Sequence, residues 1–414
     1  MYDGVHGTPP PSQNGPVFLG IKNLTDDGKF NFSDIRHISE EDFARWTKRI
    51  LPKEGDIVFT YEATLHRYAI VQRGFRGCLG RRLALIRPDN NKIVTKYLFY
   101  YFFSEEWRNT ITKNVFSGAT VDRIPIIRFP NFEITVPPLH AQRKIAAILS
   151  AYDDLIENNT RRIKILEEMA QAIYREWFVH FRFPDHENVR MVESECGLVP
   201  EGWNVARLGV HLSGLETGKR PLGGATIAEG GIPSIGAENV NGIAKHDYSA
   251  EKYVPNDFFL QMRKGIVKNR DVALYKDGAY IGRSTFFRDD FPHSVFCVNE
   301  HVFLLRSNGN QLTQNILYLW LQEKSTVNAI RATNANAAQP GINQNGISSV
   351  KVILPSHELA QEFDELVEPL LAQIINNAKS NRILRRTRDL LLPKLISGEL
   401  DVSKLEIRIP EAEA

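Results

Sequence analysis

The sequence has few cysteines, no long apolar run and almost no net charge. Its 414 residues include three cysteines, Cys78, Cys196 and Cys297, which form no Cys-x-x-Cys or Cys/His cluster and are expected to be reduced thiols. No stretch approaches the roughly 18 apolar residues that cross a bilayer. The first residues lack the basic start and apolar core of a secretory signal. We therefore expect a cytoplasmic chain with no membrane partner.

The near-balance of charge excludes the strong overall basicity of many nucleic-acid binders. The chain carries 51 basic and 49 acidic residues, a formal net charge of +2. Basic residues can still line one surface while acidic residues gather on helices that face protein. Charge alone therefore neither indicates nor excludes a nucleic-acid partner.

The usual catalytic motifs are also missing. The stretch GLETGKR around Gly214 has too few residues between its glycines, and no Ser or Thr after Lys219, for a phosphate-binding loop. The 11 histidines show no HExxH or other metal-ligand spacing, and the PDNNK and PDHEN segments lack the acidic-x-Lys of a metal-dependent nuclease. No Asp/Asn-Pro-Pro-Tyr/Phe motif for adenine methylation occurs. We predict no catalytic residue, no metal and no cofactor.

What is present is a tandem repeat, the observation that most constrains the architecture. The segment FLGIKNLTDDGKFN pairs with SIGAENVNGIAKHD, so that Gly20 matches Gly236, 216 residues later. Further matches keep almost the same separation: Asp56 with Asp271, Cys78 with Cys297, Pro138 with Pro355, and Asn159 with Asn377. The two halves should therefore share one fold.

Each copy begins with short β-like runs and ends with a long helical pattern. From Leu139 to Phe178 apolar residues recur at spacings of four and three, and the segment from His357 to Leu392 repeats the pattern less perfectly. Pro184 and Pro393 are expected to close these helices. Asn159 and Asn377 occupy matching positions, where a buried polar pair would fix the register; alternatively, each faces solvent at the edge of the seam.

The predicted fold class is α+β, with two β-rich domains in tandem repeat separated by two long helices that form an antiparallel intramolecular coiled coil. The expected boundaries are 1–138 for the first domain, 139–182 for the central helix, 183–355 for the second domain, 356–392 for the distal helix and 393–414 for a tail. Such a protein can measure the distance between two similar objects, and DNA half-sites are the obvious candidate. Other two-headed adaptors stay possible.

Several blocks of the chain resemble the specificity subunits of type I restriction and modification systems. TVPPLHAQRKIAAILSAYDDLIENNTRRIKILEEMAQAIYREWFV, ending in FRFP, is similar to their central conserved region, and NRILRRTRDLLLPKLISGELDV to their distal one. GVHGTPPPSQNGPVFLGIKNL, EGDIVFTYEATL and SGATVDRIP resemble a first target-recognition domain. The first copy departs from the pattern, because nothing precedes it that matches EGWNVARLGVHLSGLETGKRP of the second. We therefore expect its opening strand or helix to be missing.

The resemblance implies a non-catalytic reader of double-stranded DNA. Its two target-recognition domains would each read part of a split sequence. Its helices would set the spacer and dock two modification subunits, which methylate adenine. A restriction subunit with motor and endonuclease activity would join through the complex. The alternative is a two-headed coiled-coil adaptor without DNA specificity.

Candidate DNA-contacting residues are basic, amide and aromatic side chains in turn-like contexts. In the first copy these are Lys22, Asn23, Tyr61, Arg67, Arg81, Arg82, Thr120 and Arg123. In the second they are Lys219, Arg220, Asn239, Lys276, Tyr280, Arg283, Asn343 and Gln344. For each one, a solvated charge or a turn residue is the alternative. Because the two sets differ, we predict different half-sites and an asymmetric target.

Overall fold

The computed structural model describes residues 2–5, 7–117, 121–226, 230–334 and 340–409. The chain divides into two compact units: unit 1 comprises Met1–Leu155 with Leu384–Ala414, and unit 2 comprises Ile156–Ile383. None of the described helices combines the length and hydropathy needed to cross a membrane.

Unit 1 mixes short strands with three helices of its own. Its strands are β1 (Tyr2–Asp3), β2 (Ser12–Leu19), β3 (Arg36–His37), β4 (Ile57–Thr60), β5 (Tyr68–Ile70), β6 (Gly77–Leu79), β7 (Leu83–Ile86), β8 (Phe116–Ser117) and β9 (Asp122–Arg123). Its helices are α1 (Glu40–Trp46), α2 (Thr95–Tyr101) and α3 (Glu105–Asn114), followed by the first half of the long helix α4 (Leu139–Tyr174).

Unit 2 repeats this plan with additions. Its strands are β10 (Met191–Ser194), β11 (Gly197–Pro200), β12 (Asn204–Arg207), β13 (Leu212–Thr217), β14 (Ile232–Ile235), β15 (Tyr253–Val254), β16 (Asp271–Tyr275), β17 (Ser284–Phe287), β18 (Cys297–Val298), β19 (Val302–Ser307) and β20 (Lys351–Leu354). Its helices are α5 (Asn256–Leu260), α6 (Gln314–Leu321), α7 (Lys324–Ala332), α8 (Gln344–Ser349) and α9 (His357–Ile396), which ends in unit 1.

The strand pairing confirms the tandem repeat. One sheet has the order β1-β7-β4-β5 in unit 1 and β13-β19-β16-β17 in unit 2. A second sheet, β3-β2-β6 or β15-β14-β18, contains a parallel pair in which Phe18 faces Cys78 and Ser234 faces Cys297. The two-residue β1 takes the sheet position that the six-residue β13 takes in unit 2.

The matching aspartates of the repeat perform the same task in each unit. Asp56, at the turn before β4, receives two hydrogen bonds of 2.7 Å from the guanidinium of Arg87 and one of 2.7 Å from the backbone N–H of Lys53. Asp271 receives bonds of 2.6 and 2.7 Å from Arg306 and one of 2.9 Å from the N–H of Lys268. Each carboxylate is buried at the start of an inner strand, β4 or β16. It links that strand to the neighbouring inner strand, through Arg87 just after β7 or Arg306 in β19, and to the turn that precedes it.

The long helices pack antiparallel within each unit. In unit 1, Ile145 and Leu149 of α4 share a core with Leu395 and Ile396 of α9. In unit 2, the rings of Tyr174 and Phe363 have centroids 6.2 Å apart. The predicted fold class is confirmed.

The asparagines of the two helices pair in a different register from the one expected. Asn159 donates to Asn381 at 3.0 Å, and Asn381 donates in turn to the carbonyl of Ile156 at 3.3 Å. Asn377 instead accepts from Gln373 on its own helix at 3.1 Å. Asn159 and Asn377 therefore do not form a pair, because matching positions in the sequence are offset by one helical turn in the antiparallel alignment.

The distal helix ends later than predicted. Pro393 lies inside α9, which continues to Ile396. Proline removes one backbone donor, and the turn still closes because the carbonyl of Pro393 accepts from the N–H of Ser397 at 3.0 Å. The first helix continues from Tyr174 as one π turn, Arg175–Val179, which ends before Pro184.

Replacing Asp271→Asn should destabilise unit 2 by about 2 to 3 kcal/mol, because it leaves the buried end of Arg306 with a weaker acceptor. Urea unfolding of the full chain measures the change. Glu157→Gln is the matched control, because it breaks the exposed ion pair with Arg161 and should change stability very little. Equal effects of the two substitutions would contradict the structural role of Asp271.

A second carboxylate makes the stability of unit 2 depend on pH. Burial alone would raise the pKa of Glu368, but hydrogen bonds from Arg288, Asn315 and Arg270 lower it to about 2. A carboxylate whose pKa is lower in the folded state stabilises the fold above its unfolded pKa and loses that contribution as the pH falls through the folded value. The contribution is thus lost between about pH 4.5 and about pH 2.

We therefore expect Glu368→Gln to lower the unfolding midpoint at pH 7 and to flatten its fall between pH 4.5 and 2. Thermal unfolding at a series of pH values measures both effects. Burial raises the pKa of Asp364 and the charge of Glu368 raises it further, so the difference between the two proteins reports Glu368 together with its effect on Asp364. Parallel pH profiles for the two proteins would show that this carboxylate does not govern the transition.

Candidate nucleic-acid interface

The clearest candidate surface in unit 2 begins where the central strand β16 ends. The loop from Lys276 to Arg283 leads into β17 and contains a short 3₁₀ turn, Gly278–Tyr280. The segment after residue 339 holds this loop in place: Pro340 accepts from the N–H of Gly278 at 2.8 Å, and Ile342 donates to the carbonyl of Lys276 at 3.0 Å. Residues far apart in sequence thereby share one surface.

Side chains on this loop are placed by aromatic contacts. The guanidinium of Arg283 lies 4.0 Å from the ring centroid of Tyr280, which is 45% exposed. Arg283 also donates to Asn241 at 2.8 Å. Lys276 Nζ lies 5.4 Å from the ring centroid of Phe303. Cation–π contacts of this kind hold a positive charge in position without neutralising it.

Two further basic residues, Lys219 and Arg220, follow the end of β13 and reach the same surface. Gly218 allows this, because a Cβ there would lie 1.6 Å from the carbonyl oxygen of Val298. Arg220 forms an ion pair of 2.9 Å with Glu300, and the ring of His301 contacts both Glu300 and Asp277 of the β16–β17 loop.

Gln344 links the segment after residue 339 to β13, because its side chain donates to the carbonyl of Leu215 at 2.9 Å. We define the unit 2 surface as Lys219, Arg220, Lys276, Tyr280, Arg283 and Gln344. The side chain of Lys219 is exposed.

The equivalent loop of unit 1, between β4 and β5, carries a smaller surface. β9 holds this loop through the N–H of Ile124, which donates to Tyr61 at 2.8 Å, and the N–H of Ala63, which donates to Asp122 at 3.0 Å. Arg82 and Arg123 lie on either side of Glu62, at 3.1 and 3.9 Å.

We define the unit 1 surface as Arg81, Arg82 and Arg123. Arg81 is exposed. Thr120 lies outside the described residues. Arg67 is paired with Asp26 at 2.6 Å, and Lys22 is paired with Asp34.

Four of the predicted contact residues instead build the fold. Asn23 accepts from the N–H of Gly20 at 2.9 Å and donates to two carbonyls, including that of Asn31 at 3.0 Å. Its repeat partner Asn239 forms the same kind of bridge, donating to the carbonyl of Asp247 at 3.3 Å and accepting from its N–H at 2.7 Å.

Both asparagines are buried, and Tyr61 is also buried, with its hydroxyl bonded to the carbonyl of Arg81. Asn343 caps α8, accepting from the N–H of Gly346 at 2.8 Å. The side-chain polar atoms of Asn23, Tyr61 and Asn239 are therefore bonded inside the protein, whereas Asn343 is exposed as well as capping its helix.

The sequence reasoning missed a cation–aromatic pair next to the unit 1 surface. Arg128 lies 5.3 Å from the ring centroid of Phe116, which is 53% exposed and pairs with Arg123 across the β8–β9 hairpin. An exposed aromatic ring beside arginines can stack on bases. In the sequence, Phe116 directly precedes the stretch SGATVDRIP. This position next to a block of the first target-recognition domain is the signal that could have identified it.

These observations define a protein of two homologous α+β domains, each carrying a loop surface of basic and aromatic residues. Comparison with known proteins gives the family. The model of the type I restriction modification DNA specificity domain matches residues 12–168 and 200–385, and the chain belongs to this family. The DNA-specificity assignment favours the interpretation as a DNA reader over the two-headed adaptor.

Individual relatives agree with this assignment over most of the chain. The MjaIX specificity subunit of Methanocaldococcus jannaschii is 29% identical over 89% of this chain and 83% of its own length. The putative MjaX specificity subunit of the same organism is 30% identical, with the same coverage of both chains. The crystal structure of an S subunit from M. genitalium has the same fold, with a TM-score of 0.54 at 17% identity, covering 92% of each chain.

The distinction between buried and exposed candidates can be tested directly. Asn239→Ala should lower stability by about 1 to 3 kcal/mol, because it removes a buried side chain that bonds both the N–H and the carbonyl of Asp247. Lys219→Ala, on the exposed surface, should leave stability nearly unchanged. Urea unfolding of both variants provides the measurement; a stable Asn239→Ala protein would return this residue to the candidate contacts.

Proposed function

We propose that this chain reads a DNA target in two parts, one with each domain, and that it directs adenine methylation by partner modification subunits. The observation that carries the proposal is the pair of surfaces at equivalent loops of two domains from one DNA-specificity family. The loops share a fold but differ in their side chains. Unit 1 presents arginines around Glu62, whereas unit 2 presents lysines, Tyr280 and Arg283. Different side chains at the same position favour two different half-sites.

The two surfaces contain side chains suited to phosphate contacts and side chains suited to base-edge contacts. Lysines such as Lys219 and Lys276 attract phosphates without regard to sequence. Arginine can bond the N7 and O6 acceptors of guanine in the major groove, and Arg283 and Arg123 are the best placed for this. Tyr280 and Phe116 add aromatic area next to these arginines.

Catalysis is assigned to partner proteins. The full assembly would contain two modification subunits and, where cleavage occurs, restriction subunits. Charged helix residues such as Arg161 and Glu157, which are paired with each other on the exposed face of α4, are available for such partners.

The test is single-molecule sequencing of DNA from cells that express this chain with its modification subunits, scored for methylated adenines. We expect a split motif with two unlike halves. Arg283→Ala should relax the sequence requirement in one half only, at a cost of about 1 to 3 kcal/mol of discrimination. Arg123→Ala should relax the other half.

Lys219→Ala should weaken binding to all sequences and reduce the salt dependence of affinity by about one counterion. Arg190→Ala is the control, because this exposed arginine is paired with Glu201 on the β10–β11 hairpin. A palindromic target, or Arg283→Ala and Arg123→Ala changing the same half, would refute the division between the domains.

A further inference from the structure

Unit 2 contains a buried cluster of two histidines and one glutamate, which we call the His–Glu–His cluster: His246, Glu251 and His293. It is the one group of potential metal ligands found among the described residues, and its ligand atoms all lie within 4.8 Å of one another. The side chains are 1%, 4% and 17% exposed, respectively. The two histidines are 47 residues apart in separate loops, so sequence spacing does not indicate the cluster.

The three side chains converge on one point. His246 Nε2 lies 2.5 Å from Glu251 Oε1, and His293 Nε2 contacts the same oxygen. The other carboxylate oxygen, Oε2, accepts from the hydroxyl of Tyr253 at 2.8 Å. This bond fixes the carboxylate with Oε1 facing both imidazoles, as second-shell partners do for metal ligands.

The donor set suits one class of ion. Two imidazole nitrogens and one carboxylate oxygen are a ligand set of zinc and neighbouring divalent transition metals, with one position left for water or a further ligand. Calcium and magnesium prefer sites made of oxygen ligands. The partial exposure of His293 leaves a side for that further ligand.

The repeat shows that the fold does not require polar groups here. Counting 216 residues back from His246 and Glu251 gives Phe30 and Ile35, and strand pairing supports this register, since Pro233 faces Tyr253 as Val17 faces His37. In unit 1 the ring of Phe30 stacks on Phe75 with centroids 5.8 Å apart. In unit 2 the His246 and His293 rings lie 5.6 Å apart.

Unit 1 therefore has an apolar contact between Phe30 and Phe75 at this position, whereas unit 2 buries three titratable groups. Burial of such groups costs free energy unless bonds compensate it, and a metal ion coordinated by all three side chains supplies that compensation.

The surroundings suggest what an ion would do. His246 and Glu251 lie in the loop between β14 and β15, and His293 in the loop between β17 and β18. Arg382 of α9 joins the same two loops: its guanidinium lies 4.4 Å from the ring centroid of Tyr248 and donates to the carbonyl of Pro292 at 2.9 Å. An ion would thus cross-link two irregular loops where they meet the long helix.

We propose that the His–Glu–His cluster is a structural site for a divalent transition-metal ion of the zinc class. The ion is coordinated by Nε2 of both histidines and by Oε1 of Glu251, and it holds the two loops together.

Metal analysis of the full chain, purified with its modification subunits, tests the site. We expect about one zinc-class ion per chain. Glu251→Gln and His293→Ala should lose it. His301→Ala should retain it, because His301 also contacts two carboxylates but is 41% exposed and lies outside the cluster. Co²⁺ added to the metal-stripped protein should give the visible absorption of a low-symmetry, four-coordinate site.

Stability provides a second readout. Stripping with a chelator should lower the thermal midpoint, and Zn²⁺ at about 100 times its Kd should raise it again by about 5 to 10 °C. The double variant His246→Phe/Glu251→Ile carries the residues of unit 1 and is designed to fold without an ion. It should neither bind Co²⁺ nor respond to the chelator.

A wild-type protein that carries no stoichiometric metal and gives no Co²⁺ spectrum would overturn the proposal and leave a hydrogen-bonded triad. Equal metal loss in His301→Ala would also overturn it.

Discussion

Each domain depends on a buried aspartate that is bonded bidentately to an arginine at the start of the central strand. Asp56 with Arg87 and Asp271 with Arg306 join the central strand to the neighbouring segment, and the same carboxylates also accept from the preceding turn. A charge-assisted pair of fixed geometry leaves little freedom in register. The surfaces proposed to contact DNA begin at the opposite end of the same strands. Their loops can differ in sequence because the strands that carry them are fixed elsewhere.

Comparing equivalent positions of the two units distinguishes residues that the shared fold requires from residues that are particular to one domain. Asn23 and Asn239 close the same turn with the same pattern of backbone bonds. At the position of Phe30, by contrast, unit 2 carries His246. Where both copies have the same residue with the same contacts, the residue serves the architecture. Where the copies differ at equivalent positions, the difference points to a function of one domain, and this comparison needs no other sequence.

The repeat register, both long helices and the fold class could be predicted from the sequence. The spacing of apolar residues and the matching of segments can be read along the chain without knowing its tertiary contacts. The short helices α2 and α6 could not be predicted. The segment TKYLFYY is rich in aromatic residues that also favour strands, and it is helical because its rings pack against the sheet, as Tyr97 and Tyr101 do in the unit 1 core. The pairing of Asn159 with Asn381 was equally hidden, since spacing gives the face of each helix but not the alignment between two helices.

The candidate site was predicted less well, for a related reason. Polar residues in turns can close those turns with their own side chains instead of facing a ligand, and the sequence pattern is the same in both cases. Burial separates the two groups: Asn23, Tyr61 and Asn239 are inside, whereas Arg81, Lys219 and Arg283 are exposed. Several exposed arginines are already paired with acids, such as Arg82 with Glu62 and Arg220 with Glu300. If these arginines contact DNA as proposed, a phosphate must displace the acids, which would weaken contact with arbitrary DNA. A net charge of only +2 is compatible with such a selective reader.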